Sequence, residues 1–291
     1  GKVVEVSPSV RRVIANNPGR FTFTGTGTYI IGRGQVAVID PGPENDDHVA
    51  AILQGLPGEE ISHIVVTHTH KDHSPASRAL QTATGALIYG FGRHPVLPEE
   101  EVLRSKPTTW DILLPTPEEL EELKKSMAFP SDDENEHEQD EPGDMAFNPD
   151  IEVGHGDLIK GGTWTLEAVH TPGHISNHLC FGFKEERCLF SGDHVMGWST
   201  SVIPSPEGAM GEYMDSLYLL LDRTDEFFYP THGPRIPKPI SFTRSLIAHR
   251  QDREQQILNC LLEGPMAIPD LVTKMYVNTP HILYMAAGQS V

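Results

Sequence analysis

Three histidines and an aspartate crowd into six residues of the stretch VTHTHKDHSPA, as His68, His70, Asp72 and His73. Neutral imidazole and carboxylate bind a borderline divalent cation such as zinc at about 2.0–2.2 Å, with three or four protein ligands per ion. His68 and His70 point to one side of an extended segment, because side chains alternate with period two. Asp72 and His73 fall where the chain turns into the next element, aimed at a neighbouring point. One turn can therefore offer two ligands to each of two adjacent ions. Histidine and aspartate are also common in polar turns and at helix starts, but four such groups at this spacing are hard to account for that way.

Each coordination shell then needs ligands from elsewhere. HTPGHISNH offers His174 in a sharp Pro-Gly loop, FSGDHV offers Asp193 directly after an apolar run, and YPTHGP offers His232 between Pro and Gly. Each follows a predicted strand, and polar residues converging from several strand ends make an active site in α/β architectures. Taken singly, any of these histidines is an ordinary turn residue; jointly they make a metal site. His178, four residues beyond His174, reads either as a neighbour that supports the site or as a histidine packed under the loop. His170, His63, His94 and His155 gain no role from spacing.

The elements that must position these groups follow from pattern. TYIIGRGQVAVID reads as a hairpin with strands at 28–31 and 35–39. DPGPENDDHVAAILQGL turns into an amphipathic helix with Val49, Ile52, Leu53 and Leu56 on one face. ISHIVVTH is a buried strand that delivers His68, SPASRALQTAT a helix with Ser74 as N-cap and Pro75 at its first position, and GALIYG the next strand. A second half supplies strands at TWTLEAVH, HLCFGF, RCLFSGD and EFFYP, with a helix at GEYMDSLYLLLDR. Two sheets with helices outside is the natural packing of this α/β order. From Pro239 the chain turns helical, so residues 1–238 are expected to form a catalytic domain and 239–291 a small helical appendage.

Composition bounds the function. The chain has 291 residues, 38% hydrophobic, with no apolar run near the roughly 18 residues of a membrane span. The segment GKVVEVSPSVRR lacks a signal-peptide core, and Cys180, Cys188 and Cys260 have no framework spacing, so free thiols and a cytoplasmic setting are expected. Net charge is −19, while residues 235–291 carry six Lys/Arg against four acids, so the acidity lies wholly in the first part. Such a field repels nucleic acid at long range and disfavours double-stranded DNA as a partner. Residues 117–126, PEELEELKKS, read as a short charged helix, and 131–141, SDDENEHEQDE, as a solvated insertion with seven acids. The insertion lacks the D-x-D-x-D-G spacing of a calcium loop.

The succession THTHKDHS, TPGH, SGD and PTHG resembles the ligand motifs of the metallo-β-lactamase superfamily, whose first motif is H-x-H-x-D-H. The likeness runs from about Tyr29 to Gly233, interrupted by the acidic stretch. It implies a four-layer αβ/βα sandwich and two zinc ions, one held by His68, His70 and His174, the other by Asp72, His73 and His232, with Asp193 bridging. VIDPGP also resembles a family element and implies that Asp40 lies near the site. NNPGRFTFTGTGTYIIG and the tail resemble the lactamase-beta-like protein 2 group, whose characterised members are single-strand endoribonucleases with a winged-helix-like C-terminal domain. That group has Asn within G-T-N-T-Y where this chain has Gly27, and the tail here ends before a full wing.

Two such ions about 3.5–4 Å apart lower the pKa of a water toward neutrality and polarise the substrate oxygen. Asp72 could orient that water or take its proton while also ligating. Lactam-cleaving relatives carry Cys at the place of Asp193 or lack the carboxylate, which disfavours antibiotic hydrolysis. Di-iron redox relatives carry Glu where His70 stands, which favours hydrolysis. The expected activity is cleavage of a phosphodiester, as in single-stranded RNA, or of a small-molecule ester or thioester. A glyoxalase II-like hydroxyacyl thioesterase shares the ligand set. A mononuclear iron persulfide dioxygenase and a non-catalytic nucleic-acid-binding module are alternatives of other classes, and the second has no use for seven metal-binding side chains.

Overall fold

The computed structural model describes residues 1–19, 21–97, 143–277, and residues 284 and 288. The charged stretch 117–126 and the acidic stretch 131–141 lie outside the described residues, as does most of the last expected helix.

Strands β1 (Val4–Ser7), β2 (Val10–Ile14), β3 (Gly27–Ile31), β4 (Gln35–Ile39), β5 (Glu60–Val65), β6 (Leu87–Gly90) and β7 (Ile151–Glu152) form one sheet in chain order. β1 to β4 are antiparallel neighbours, and β4 to β7 run parallel. Helices α1 (Asp46–Gln54) and α2 (Ala76–Thr84) make the crossovers that parallel pairing requires. The second sheet runs β13, β12, β11, β10, β9, β8. Its strands are β8 (Leu158–Lys160), β9 (Thr165–His170), β10 (Leu179–Phe183), β11 (Cys188–Gly192), β12 (Phe227–Pro230) and β13 (Ile236–Pro237). Helix α3 (Met210–Leu221) joins the parallel pair β11 and β12, and α4 (Pro239–Leu261) and α5 (Ile268–Met275) follow.

Three apolar layers hold this together. The sheets face each other through Tyr29, Ile31, Val65, Trp164, Leu166, Phe181 and Phe190. Val38, Ile52, Ile64 and Leu80 bury α1 and α2 on the outer face of the first sheet. Leu189, Tyr213, Leu217, Phe228 and Leu246 do the same for α3 and α4 on the second. The order is helix, sheet, sheet, helix, the expected αβ/βα sandwich. β3, β10 and β11 are buried along their whole length, as strands covered on both faces must be. Polar ties also cross between the sheets, among them Trp164 Nε1, which donates to the Gln35 carbonyl at 2.9 Å, and Tyr29 OH, which donates to the Pro230 carbonyl at 2.8 Å.

Local chemistry explains the helix starts. Asn45 caps α1, its Oδ1 accepting from the His48 amide at 3.0 Å, with Asp46 and Asp47 in the first turn. The expected cap of α2 differs. The helix starts one residue later, after Pro75, and the Ser74 hydroxyl turns away to donate to Asp144 at 2.7 Å. Ser74 ties the metal-motif turn to the returning chain instead. Among the described residues, no helix is long and apolar enough to cross a membrane. The three cysteines are free, Cys180 and Cys188 buried.

Candidate metal centre

β5 ends at Val65, and the chain beyond it runs along the edge where the sheets meet. His68 and His70 come off this segment, fully buried. His174 arrives on the loop after β9, whose tight turn needs Gly173: its φ is +132°, and a Cβ there would lie 2.3 Å from the Tyr213 Cα. His70 Nδ1 stands 3.0 Å from His68 Nε2 and 3.0 Å from His174 Nε2. Donors about 2.0–2.1 Å from one tetrahedral ion stand roughly 3.3 Å apart, so this trio is close to a ligand shell.

A second trio lies beside it. Asp72 Oδ2 is 3.2 Å from His73 Nε2 and 3.2 Å from His232 Nε2. Asp193, just past β11, places Oδ2 3.3 Å from His232 Nε2 and 3.6 Å from His73 Nε2. The ligand atoms of His68, His73 and Asp193 also cluster within 4.8 Å of one another, so Asp193 stands between the two trios. All seven residues picked from the motifs meet here, and the sets they form could hold a pair of cations.

Side chains behind the cluster fix its geometry. Asp40, buried at 1% exposure with φ +48°, accepts from the Thr67 amide and hydroxyl at 2.8 Å each, from the Thr231 hydroxyl at 3.1 Å, and lies 3.0 Å from His73 Nδ1. That contact leaves His73 Nε2 facing the cluster. Thr26 donates to Asp72 Oδ2 at 2.9 Å and is itself held by Asn17. His178 Nε2 accepts from the Asp193 amide at 3.2 Å, so its proton sits on Nδ1, beside the Thr171 hydroxyl at 2.9 Å. Its ring supports the Asp193 loop rather than facing the space in front of the trios. Arg12 donates to the carbonyls of Thr231 and Gly233 on either side of His232, and it fills the place where a Cβ at Gly27 would fall.

Two residues missed in the sequence belong to the site's surroundings. Glu207 Oε2 is 3.5 Å from His70 Nε2, and its Oε1 is 3.3 Å from His94 Nε2. His94 Nδ1 meets the Thr69 hydroxyl at 2.9 Å, which also accepts from Asn177 at 2.8 Å. Neither Glu207 nor His94 sits in a motif, and Glu207 lies 137 positions beyond His70 in the chain. No spacing signal could have found them.

The electrostatics suit a cation. Nε2 of His73, Nε2 of His232 and Oδ1 of Asp193 are buried with no well-directed hydrogen bond, which native proteins rarely allow without a ligand or function. Burial alone would make His73 a weaker base, but Asp72, Asp193 and Asp40 outweigh it and hold the ring protonated well above the usual range. The same contest lifts His232 to about 10, with Asp193 foremost against burial. Burial would raise Asp72 and Asp193, but the His73 and His232 rings pull both well below the ordinary carboxylate range. His68 goes the other way, kept neutral by burial and by the neighbouring rings. Two protons thus stand where positive metal charge would replace them.

A buried His/Asp cluster that could hold metal, at one edge of an αβ/βα sandwich, is the site of a metal-dependent hydrolase class. The chain belongs to the metallo-beta-lactamase superfamily, whose domain it matches over residues 22–232. It is similar to the Beta-lactamase-like protein 2 homolog of Drosophila melanogaster, 29% identical over 99% of this chain and 87% of that protein. It is also similar to an atrochrysone carboxyl ACP thioesterase of Claviceps purpurea, 27% identical over 94% of this chain and 74% of that one. Among solved structures, a beta-lactamase domain protein from Burkholderia ambifaria shares the fold with TM-score 0.70 and 17% identity, over 99% of this chain and 86% of the other.

Proposed function

We propose that this protein is a di-zinc hydrolase of thioester or ester bonds, with residues 1–238 as the catalytic domain and 239–291 as its helical appendage. In this reading His68, His70 and His174 hold one ion, Asp72, His73 and His232 the other, and Asp193 reaches both. The observation that carries it is the pair of adjacent trios with Asp193 between them. Metal analysis of the purified protein, two zinc ions or one iron per chain, separates this reading from a mononuclear iron enzyme. The bound ions would supply a water ionised near neutral pH and a polarised carbonyl oxygen.

The remaining steps fall to the chain itself. Asp72 is the most exposed of the cluster, its side chain at 15% against 3% for Asp193 and none for His73. It is placed to orient the attacking water and accept its proton while Thr26 steadies the carboxylate. The water oxygen bonds to the acyl carbon and the C–S bond breaks, leaving a carboxylate and a thiol. A thiolate, with a pKa near about 8.5, departs without a general acid. That suits a site whose neighbouring histidine, His178, has its Nε2 engaged by the Asp193 amide. An alkoxide leaving group, as in an oxygen ester or a phosphodiester, departs less readily without such an acid, which ranks thioesters ahead of oxygen esters. The net charge of −19 also repels a polyanion, and the name of the Claviceps relative supports a thioester substrate.

The test is a rate profile of the zinc-loaded protein against S-lactoylglutathione, acyl N-acetylcysteamine thioesters, single-stranded RNA and bis-nitrophenyl phosphate, with Asp72→Ala alongside. Thioester turnover that falls at least a hundredfold in Asp72→Ala is expected. Cleavage of RNA with no thioester turnover would overturn the substrate assignment, and equal rates for variant and parent would overturn the role of Asp72.

A further inference from the structure

We propose that a cavity beside His174 and Asp193 binds the acyl half of the substrate, and that the group it accepts is an uncharged aromatic or branched aliphatic one. This rests on the hydrolase reading and adds the substrate's chemical class. The cavity, about 250 Å³ and open to solvent, is lined by Phe21, Met196, Trp198, Ser199 and Val202, with His174 and Asp193 at the cluster end. A carbonyl at the cluster has to send one of its two substituents into the adjoining space, and this space is walled by apolar side chains. The space is an open cleft rather than an enclosed pocket, so a ring or a short branched chain would lie along its wall with one edge left in solvent.

Charge sorts the candidates. Among the described residues lining the cavity, none is Lys or Arg, and Asp193 is the one charged group. Away from the cluster end, a phosphate or carboxylate in this space would lose its water with no Lys or Arg among the described lining residues to pair with. An uncharged ring or alkyl group loses nothing polar and gains burial.

The aromatic wall is built into the site rather than left over on the surface. Phe23 stacks on Trp198 with ring centroids 5.0 Å apart and planes at 22°, and both rings remain 38% exposed. Phe23 holds φ +58°, a conformation costly for a bulky side chain, and it is fixed by paired backbone hydrogen bonds with Gly19. The same loop contains Asn17, which orients Thr26 and through it Asp72. On the other side Trp198 packs against Gly233, the residue after His232, whose φ is +92° and where a Cβ would come within 3.0 Å of the indole. The rings are therefore set by the two loops that set Asp72 and His232.

The experiment has two arms. In the first, the zinc-loaded protein is given N-acetylcysteamine thioesters of acetate, isovalerate, benzoate, 2-naphthoate and succinate. Benzoyl and isovaleryl thioesters should exceed acetyl by at least tenfold in kcat/KM, and succinyl should not. Trp198→Ala, and Val202→Trp, which fills the space, should collapse the benzoyl-to-acetyl ratio below about threefold, with circular dichroism melts confirming that both variants fold. In the second, metal-free protein is titrated with 2-acetylnaphthalene by calorimetry, where binding should occur and vanish in both variants. Binding without any thioester turnover would sink the hydrolase reading while leaving the cavity assignment standing. Turnover with a flat or succinyl-favouring profile, or with a ratio unmoved in both variants, would overturn the cavity assignment and leave the hydrolase intact. No turnover and no binding would end both. A switch of oligomeric state in Val202→Trp with an unchanged acyl profile would show that the wall joins two copies instead, and would equally overturn the assignment.

Discussion

The Glu207 carboxylate lies 3.5 Å from His70 Nε2, on the opposite edge of the ring from the Nδ1 that faces His68 and His174. For Nδ1 to offer its lone pair to a cation, the proton must sit on Nε2, and an anionic acceptor there stabilises that tautomer. Burial works against ionising Glu207, yet its contacts with His70 and His94 outweigh it and lower its pKa to about 2, so it is anionic at any working pH. Glu207→Gln keeps the shape and removes the charge. Zinc retention by the variant, measured against a chelator, should weaken about 10- to 100-fold. His94→Gln should have a smaller effect in the same direction, since it acts on Glu207 alone. Wild-type zinc retention in Glu207→Gln would show that the carboxylate does not set the His70 ring.

The two trios should fill at different pH. His73 and His232 hold protons well above the usual imidazole range and must release them before they can ligate, whereas His68 is already neutral. Below about 10, where His232 titrates, loading the trio with Asp72 therefore displaces two protons and should weaken about a hundredfold per pH unit as pH falls. The sign for metal-free folding is the reverse. A raised His232 pKa adds stability that is complete below the unfolded value near 6.5 and is lost as pH rises through about 10. Zinc titrations at pH 6 and pH 8 should show one equivalent steeply dependent on pH and the other less so. Parallel loss of both equivalents would contradict the asymmetry.

Much of this was legible in the chain before folding, and the reason is physical. β4 and β5 are marked by β-branched residues and β6 by a short apolar run, and the metal-motif turn carries its residues at alternating spacing that only an extended segment exploits. What was not legible depends on contacts distant in sequence. β1, β7, β8 and β13 are short or exposed at sheet edges and leave no clear pattern. Ser74 looked like a cap because Ser before Pro usually is one, but its hydroxyl has a better acceptor in Asp144, which arrives 70 residues later. Glu207 and the aromatic pair Phe23 and Trp198 acquire meaning only where loops from both halves meet.

Asp40 offers a test of how the cluster is oriented. Its carboxylate gathers the Thr67 amide, two hydroxyls and His73 around one buried point. Asp40→Ala strands several buried donors at about 1–3 kcal/mol each, so a loss of at least about 3 kcal/mol is expected in chemical denaturation. Asp40→Asn keeps the volume and part of the hydrogen bonding but cannot balance a charged His73. It should remain folded with a smaller loss, yet lose the zinc equivalent that depends steeply on pH. Retention of both equivalents in Asp40→Asn would show that His73 is oriented by the backbone alone.

The helix after the sandwich also reaches the site. Arg250 on α4 is buried at 7% exposure, lies 5.4 Å from the Tyr213 ring centre and donates to the Ser201 carbonyl at 2.5 Å. Ser201 in turn donates to the carbonyls of Asp193 and His194, so three contacts join α4 to the loop that carries Asp193. Arg250→Met keeps the apolar stem over Tyr213 and removes the donor, leaving a buried carbonyl short of a partner at about 1–3 kcal/mol. A fall in melting temperature of about 2–4 °C per kcal/mol is expected in the metal-free protein. If α4 braces the Asp193 loop, zinc retention must fall as well, and adding zinc should recover less of the lost melting temperature than it adds to the parent. A variant that is destabilised but keeps parental zinc affinity would confine Arg250 to holding the helix on the sheet.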